Sequence, residues 1–220
     1  MKKFISTTFL FFAASIFTFA QEAEEVKIDE TKAKKEITSA FNNYKKAILK
    51  QDSKLALAQL DKNSFDYYDQ VLNIALRANQ QQLDELEILD KLMVLSVKHR
   101  VPKEQLIKMN GRELLIYALD NGLIGKNTVE KAELGDIDIK GEIAYGQYII
   151  SEQKTPLYFG FTYDQSQWRL DITSIFEPAG YGIRKLVEMQ NKDENEVIIM
   201  MIESTTPGQK VSQEIWKPIL

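Results

Sequence analysis

The sequence predicts an α+β fold, in which N-terminal helices pack on a curved antiparallel β-meander, with a helical insertion and C-terminal helices. Apolar residues recur at helical spacing from Asp29 to about Gly122. From Val129 to Thr173 the period falls to two, with many β-branched and aromatic residues. Because helices followed by a meander are typical of α+β proteins, we expect one domain over 29–220.

The first residues have the pattern of a secretory signal peptide. Two lysines precede the apolar segment 4–19, and a small-x-small cleavage site ends at Ala20. The apolar segment has about 16 residues, whereas a membrane-spanning helix needs roughly 20. We expect a signal peptide at 1–20, cleaved near Ala20, a disordered lead-in at 21–28, and export to the periplasm or outside the cell. The alternative is an uncleaved membrane anchor.

Composition excludes several classes of function. The net charge is −4, and it becomes −6 once the leader with its two lysines is removed, which disfavours a nucleic-acid partner. The chain has no cysteine, so thiol catalysis, thiolate metal sites and a lipid-modified cysteine are excluded. We expect no cofactor, no membrane-spanning segment after cleavage, and a monomer or homodimer.

Capping and breaking residues divide the helical part of the chain. Asp52 or Ser53 can cap a second helix, Ser64 can cap a third, and Gly122 occupies a C-terminal cap position. We expect one long helical stretch over 64–122, interrupted by the Asn110-Gly111 break. The predicted helices are 29–50, 55–60, 64–99 as one helix or as two joined near the glutamines 80–82, 102–109 and 114–119.

Short polar connections divide the β-meander, predicted over 129–173, into hairpins. The last hairpin turns at Gln165-Ser166, and the one before it at the four residues 152–155. The predicted strands are Val129–Ile139, Glu142–Ser151, Pro156–Asp164 and Gln167–Thr173. Two helices are expected after the sheet, Tyr181–Gln190 and Glu194–Ser204, and then a tail that adds a strand or packs as an extended arm.

Three segments resemble the nuclear transport factor 2-like superfamily. They read ITSAFNNYKKAILKQD (37–52), GEIAYGQYII (141–150) and PLYFGFTYDQSQWRLDI (156–172). The pairing of SFDYYDQVLNIAL (64–76) with such a meander also resembles bacterial exported proteins of unknown function. The resemblance implies a cone-shaped α+β fold. That superfamily includes isomerases, dehydratases, ligand carriers and non-catalytic interaction modules, so the resemblance does not select a chemistry.

Common catalytic patterns have simpler structural explanations here. His99 is the only histidine, and its position suits the basic end of a helix. Ser151 and Lys154 match the SxxK pattern of penicillin-interacting enzymes, but they lie in a predicted hairpin instead of at a helix start. Asp136 and Asp138 share one side of a strand, which indicates a solvated face.

Aromatic residues and one acidic residue remain as candidate site residues. In the last strand Trp168 belongs to the core-facing row, and Arg169 and Asp171 belong to the opposite row. Our leading hypothesis is an exported, soluble, non-enzymatic binding or interaction module for a small apolar ligand or a protein partner. The candidate ligand-binding residues are Tyr68, Tyr145, Tyr158 and Trp168.

Two alternatives remain open. The first is a small pocket enzyme of the isomerase or dehydratase type, with Asp171 as a buried general base and a Tyr as oxyanion donor. The second is a structural protein whose long helices or C-terminal tail dock on a partner through Trp216 and Ile219.

Overall fold

The computed structural model describes residues 28–124, 126 and 129–220. The predicted signal peptide and nearly all of the predicted lead-in lie outside the described residues. Within these ranges the chain is an α+β protein of nine helices and one four-stranded antiparallel sheet. None of the helices described there is long and apolar enough to cross a bilayer. The helices are α1 (Glu30–Lys50), α2 (Ser53–Leu57), α3 (Lys62–Arg77), α4 (Gln80–Asp84), α5 (Ile88–Arg100), α6 (Lys103–Leu106), α7 (Gly111–Asp120), α8 (Phe176–Gln190) and α9 (Glu194–Thr205).

The start of α1 confirms the prediction, and the start of α3 corrects it. Asp29 caps α1 by accepting hydrogen bonds from the backbone N–H groups of Thr31 and Lys32. Helix α3 is capped by Asp61 instead of the predicted Ser64. Ser64 lies buried in the first turn, where its backbone N–H donates to the Asp61 carboxylate at 3.0 Å.

The predicted stretch 64–99 forms three helices, α3, α4 and α5, instead of one or two. Asn79 caps α4 in a capping box with Gln82, so the glutamines begin a helix instead of joining two longer ones. A second capping box, made by Asn110 and Glu113, begins α7 at the predicted break. Gly122 has a φ of 65°, which confirms the C-terminal cap position predicted for it.

The sheet is a meander of four strands in the order β1-β2-β3-β4. Its last three strands are joined by two-residue turns, Ser151-Glu152 and Gln165-Ser166, in which all four residues have positive φ. The predicted turn at 152–155 is therefore wrong. A short 3-10 helix, Ile172–Ile175, replaces the predicted end of the last strand. The strands are β1 (Ala132–Lys140), β2 (Ile143–Ile150), β3 (Gln153–Asp164) and β4 (Gln167–Asp171).

The inner face of the sheet packs against α1. The ring of Phe41 on α1 lies 5.3 Å from that of Phe159 on β3, and Tyr148 on β2 meets the same ring at 5.1 Å. Trp168 and Leu170 are buried on β4, as their predicted core-facing row requires. Apolar burial in this layer positions the sheet against the first helix.

A second layer consists of α3, α5, α7, α8 and α9, which pack on one another. The C-terminal tail packs on this layer as an arm with one turn of 3-10 helix, Gln213–Trp216. Ile215 is buried, and the backbone N–H of Ile219 donates to the carbonyl of Leu76 at 2.9 Å. These helices carry the cavity described below.

Candidate functional site

The four candidate ligand-binding aromatics do not meet at one place. Tyr145 and Tyr158 lie on the outer face of the sheet, where they are 40% and 47% exposed. Trp168 is buried on the inner face and also lines an open groove of about 300 Å³ beside α1. Tyr68 is buried in the helical layer. The four residues therefore lie in three different places, and only Tyr145 and Tyr158 share a surface.

Asp171, the candidate general base, serves as a helix cap. Its Oδ1 accepts hydrogen bonds from the backbone N–H and the hydroxyl of Thr173 at 2.8 and 2.6 Å. Its Oδ2 accepts one from the Asn63 amide at 3.1 Å. Arg169 instead donates to the carbonyl of Ala58 at 2.9 Å. The Asp171 carboxylate thus fixes the start of the 3-10 helix, and both of its oxygens are occupied.

Asp61 is a buried carboxylate that sequence reasoning did not select. Its Oδ1 accepts from the backbone N–H and the hydroxyl of Ser64, at 3.0 and 2.9 Å, and the Thr162 hydroxyl lies 3.5 Å from Oδ2. Burial, followed by the negative charge of Asp171, raises its pKa above the ordinary value of an aspartate. This cluster joins α3 to β4, and its hydrogen bonds indicate a structural role.

A cavity of about 170 Å³ lies between α3, α5, α7 and α9. Its lining is mainly apolar, and none of the described residues that line it is an Asp or a Glu. Buried side chains form its floor: Tyr68, Val97, Ala118 and Ile202. Half-buried side chains form its mouth: Leu92, Met93, Ser96, Arg100, Leu123 and Met201.

The polar groups of this cavity are Tyr68, Ser96 and Arg100, together with Thr205 at its edge. Within the described part of the chain, the hydroxyls of Tyr68 and Ser96 have no hydrogen-bond partner. Burial, and secondarily Tyr44, raise the pKa of Tyr68 well above its ordinary range. Tyr68 therefore stays protonated at physiological pH and remains a hydrogen-bond donor.

Helix geometry explains how the mouth of the cavity is built. Leu92, Ser96 and Arg100 follow one another at intervals of four along α5, so their side chains share one face. At the end of α7 the backbone N–H of Leu123 donates to the carbonyl of Ala118 at 2.8 Å. The left-handed Gly122 allows this turn, which brings Leu123 back to the cavity.

The guanidinium of Arg100 is held at the mouth by a single hydrogen bond. Its Nη2 donates to the carbonyl of Asn121 at 3.1 Å, just after α7. The Tyr117 hydroxyl donates to the backbone carbonyl of Arg100 at 3.2 Å and fixes the end of α5 from the same side. No carboxylate pairs with Arg100 in the part of the chain that the structure describes.

Larger depressions are open and lined by exposed charged groups. One of about 380 Å³ lies between α5 and α8, where Arg184 pairs with Glu87 at 2.8 Å. In the same cleft Asp90 accepts a hydrogen bond from the Tyr67 hydroxyl at 2.9 Å. Another, of about 680 Å³, is a groove beside the exposed Tyr181. Arg184 and Asp90 in these depressions are thus already bound to other side chains of the protein.

Of the four candidate ligand-binding residues, Tyr68 lines this cavity, and sequence reasoning did not select the other polar groups in its lining. A signal was available in the apolar stripe of helix α5. Ser96 follows Leu92 by four residues and Arg100 follows it by eight, so both share its face of the helix. Comparison of the chain with protein-family models, curated proteins and solved structures gives no match.

Proposed function

We propose that the protein is an exported, non-enzymatic binding module that holds a small apolar ligand in the cavity between α3, α5, α7 and α9. The observation that carries this proposal is a mainly apolar cavity of about 170 Å³ that is lined by Tyr68, whose hydroxyl makes no hydrogen bond to another described residue. A ligand with an acceptor atom could fill the cavity and accept a hydrogen bond from this hydroxyl.

The volume of the cavity sets the size of the ligand. An engineered cavity of about 150 Å³ in another protein binds benzene. A cavity of about 170 Å³ therefore suits one aromatic ring or a short aliphatic chain. Met93 and Met201 support such a ligand, because methionine side chains adapt their shape to what they pack against.

Export and the relation to the nuclear transport factor 2-like superfamily belong to the same proposal. The charged start and apolar segment of the leader support export. A helix followed by a hairpin-linked sheet supports the superfamily and a cone-like curvature of the sheet. The proposed site differs from a site inside the cone, because it lies in the helical layer.

Methyl NMR of the protein labelled at methionine tests the proposal, with benzyl alcohol as the probe. Met93 and Met201 line the cavity, whereas Met109 and the exposed Met189 do not. We expect saturable shifts at the first pair and none at the second. Ala118→Leu, which fills the floor, serves as the control and should remove the shifts. Unchanged Met93 and Met201 signals at millimolar probe would overturn the proposal.

A further inference from the structure

We infer that the ligand is a small amphipathic acid, whose carboxylate binds Arg100 at the mouth while its apolar part fills the cavity. This inference rests on the proposed function and names the chemical class of the ligand. It follows from the charge and the hydrogen-bonding state of the residues that line the site.

Among the described residues that line the cavity, Arg100 is the only charged one. Of the other described arginines, Arg184 pairs with Glu87 at 2.8 Å and Arg169 lies 4.0 Å from Asp164, whereas Arg77 and Arg112, like Arg100, form no ion pair with a described residue. Arg100 is half-buried and donates only to a backbone carbonyl. A guanidinium carries five N–H donors, so most of those of Arg100 remain available to a ligand.

Ser96 places a second donor beside this cation. It lies one turn before Arg100 on the same face of α5, and its hydroxyl has no partner among the described residues. A carboxylate can accept two parallel hydrogen bonds from a guanidinium and a further one from a neighbouring hydroxyl. The two residues therefore match the head group of an acid.

The other charge classes fit less well. A ligand amine would place a positive charge beside Arg100 without any acidic residue in the lining. A neutral amide or alcohol could fill the cavity but would leave the guanidinium without a counter-charge. The half-buried position of Arg100 strengthens its attraction for an anion, because water screens such a pair less than an exposed one.

The test compares phenylacetate with phenylacetamide, which has nearly the same shape and no charge. Affinities are measured from the methyl shifts of Met93 and Met201. A charged hydrogen bond contributes more than a neutral one, so we expect phenylacetate to bind about 10-fold to 100-fold more tightly. Arg100→Gln should remove this preference while phenylacetamide still binds, and Arg100→Lys should retain part of it.

Lys98→Gln is the matched control for these variants. Lys98 lies in the same last turn of α5, but its ammonium donates to the carbonyl of Lys217 at 2.7 Å and does not line the cavity. Lys98→Gln should leave the preference for phenylacetate over phenylacetamide unchanged. Equal affinity for both probes, or a preference that survives Arg100→Gln, overturns the inference and leaves the binding function intact. Failure of both probes to bind overturns the proposed function itself.

Discussion

Replacing Asp61 by alanine removes the buried cap that joins α3 to the sheet. Asp61 is 2% exposed, and its Oδ1 accepts from the backbone N–H of Ser64 at 3.0 Å and from the Ser64 hydroxyl at 2.9 Å. Without the carboxylate the buried N–H loses its acceptor. The hydroxyl can instead turn to the carbonyl of Leu170, which lies 3.4 Å away. Asp61→Ala therefore removes one helix cap and leaves one buried N–H donor without an acceptor.

The magnitude follows from these two terms. Loss of an N-cap costs about 1 kcal/mol, and leaving a buried donor unsatisfied costs about 1–3 kcal/mol. Because the two terms overlap, we expect Asp61→Ala to lower the free energy of unfolding by about 2 kcal/mol. For a chain of this size that lowers Tm by about 4–8 °C.

The pH dependence of stability separates the charge of Asp61 from its capping role. Burial raises the pKa of Asp61 in the folded state. The stability that protonated Asp61 contributes is therefore fully present at pH values below its unfolded-state pKa of about 4. This contribution is lost as the pH rises through the raised folded-state pKa. Asp61→Asn keeps an acceptor oxygen and never ionises. The stability of the wild type relative to Asp61→Asn should fall from pH 4 to pH 7.

Urea denaturation followed by circular dichroism measures both effects. Asp193→Ala is the matched control, since Asp193 caps α9 at an exposed position and accepts from the backbone N–H of Asn195 at 2.9 Å. Asp193→Ala should lower the free energy of unfolding by about 1 kcal/mol or less. The reasoning is refuted if Asp61→Ala costs less than this control, or if Asp61→Asn is as destabilising as Asp61→Ala at pH 7.

Three further predictions concern the helical layer. Ala118→Leu should leave the free energy of unfolding unchanged or raise it by up to about 1 kcal/mol, because the larger side chain fills the cavity. A large loss of stability would mean that no space exists there. Gly122→Ala should lower the free energy of unfolding by about 1–2 kcal/mol, because the φ of this residue is 65°. The same substitution should move Leu123 and so weaken the binding of benzyl alcohol. An unchanged urea midpoint and an unchanged Kd would contradict these expectations. Lys91 is buried and pairs with the partly exposed Glu194 at 2.6 Å. Glu194→Ala should therefore lower the free energy of unfolding by about 1–3 kcal/mol, whereas Lys91→Met should leave it unchanged or raise it. A larger loss of stability in Lys91→Met than in Glu194→Ala would contradict this expectation.

Long apolar stripes with unambiguous caps could be predicted from the sequence. Helix α1 begins and ends where its pattern indicates, since Asp29 stands directly before the stripe and the buried set from Ala33 to Ile48 repeats at helical spacing. The β-meander was also predictable, because alternating segments joined by short polar turns leave few other arrangements. Its order of strands agrees with that expectation.

Features decided by distant contacts could not be predicted. Asp61 and Ser64 are both good capping residues, and the choice depends on Leu60, which forms a bridge with Leu170 on β4. This pairing turns the chain at Asp61, before Ser64 is reached. The end of α3 was missed for a local reason, because the capping box at Asn79 lies beside glutamines that favour helix.

The candidate site illustrates the same limit. Its floor and mouth come from four helices that are far apart in sequence. Tyr68 could be selected as a buried aromatic with a polar end. The spacing of Arg100 from Leu92 was a weaker signal, since a basic residue in the last turn of a helix is explained by the helix dipole alone.

Anomalous diffraction from crystals soaked in 4-bromobenzyl alcohol shows whether a ligand enters the cavity between the helices. The bromine locates the probe without reference to its charge. We expect one bromine peak between α5 and α9, next to Met93 and Tyr68, and no such peak in crystals of Ala118→Leu. A peak only on the outer face of the sheet, beside Tyr145 and Tyr158, or a peak that persists in Ala118→Leu, would contradict this expectation.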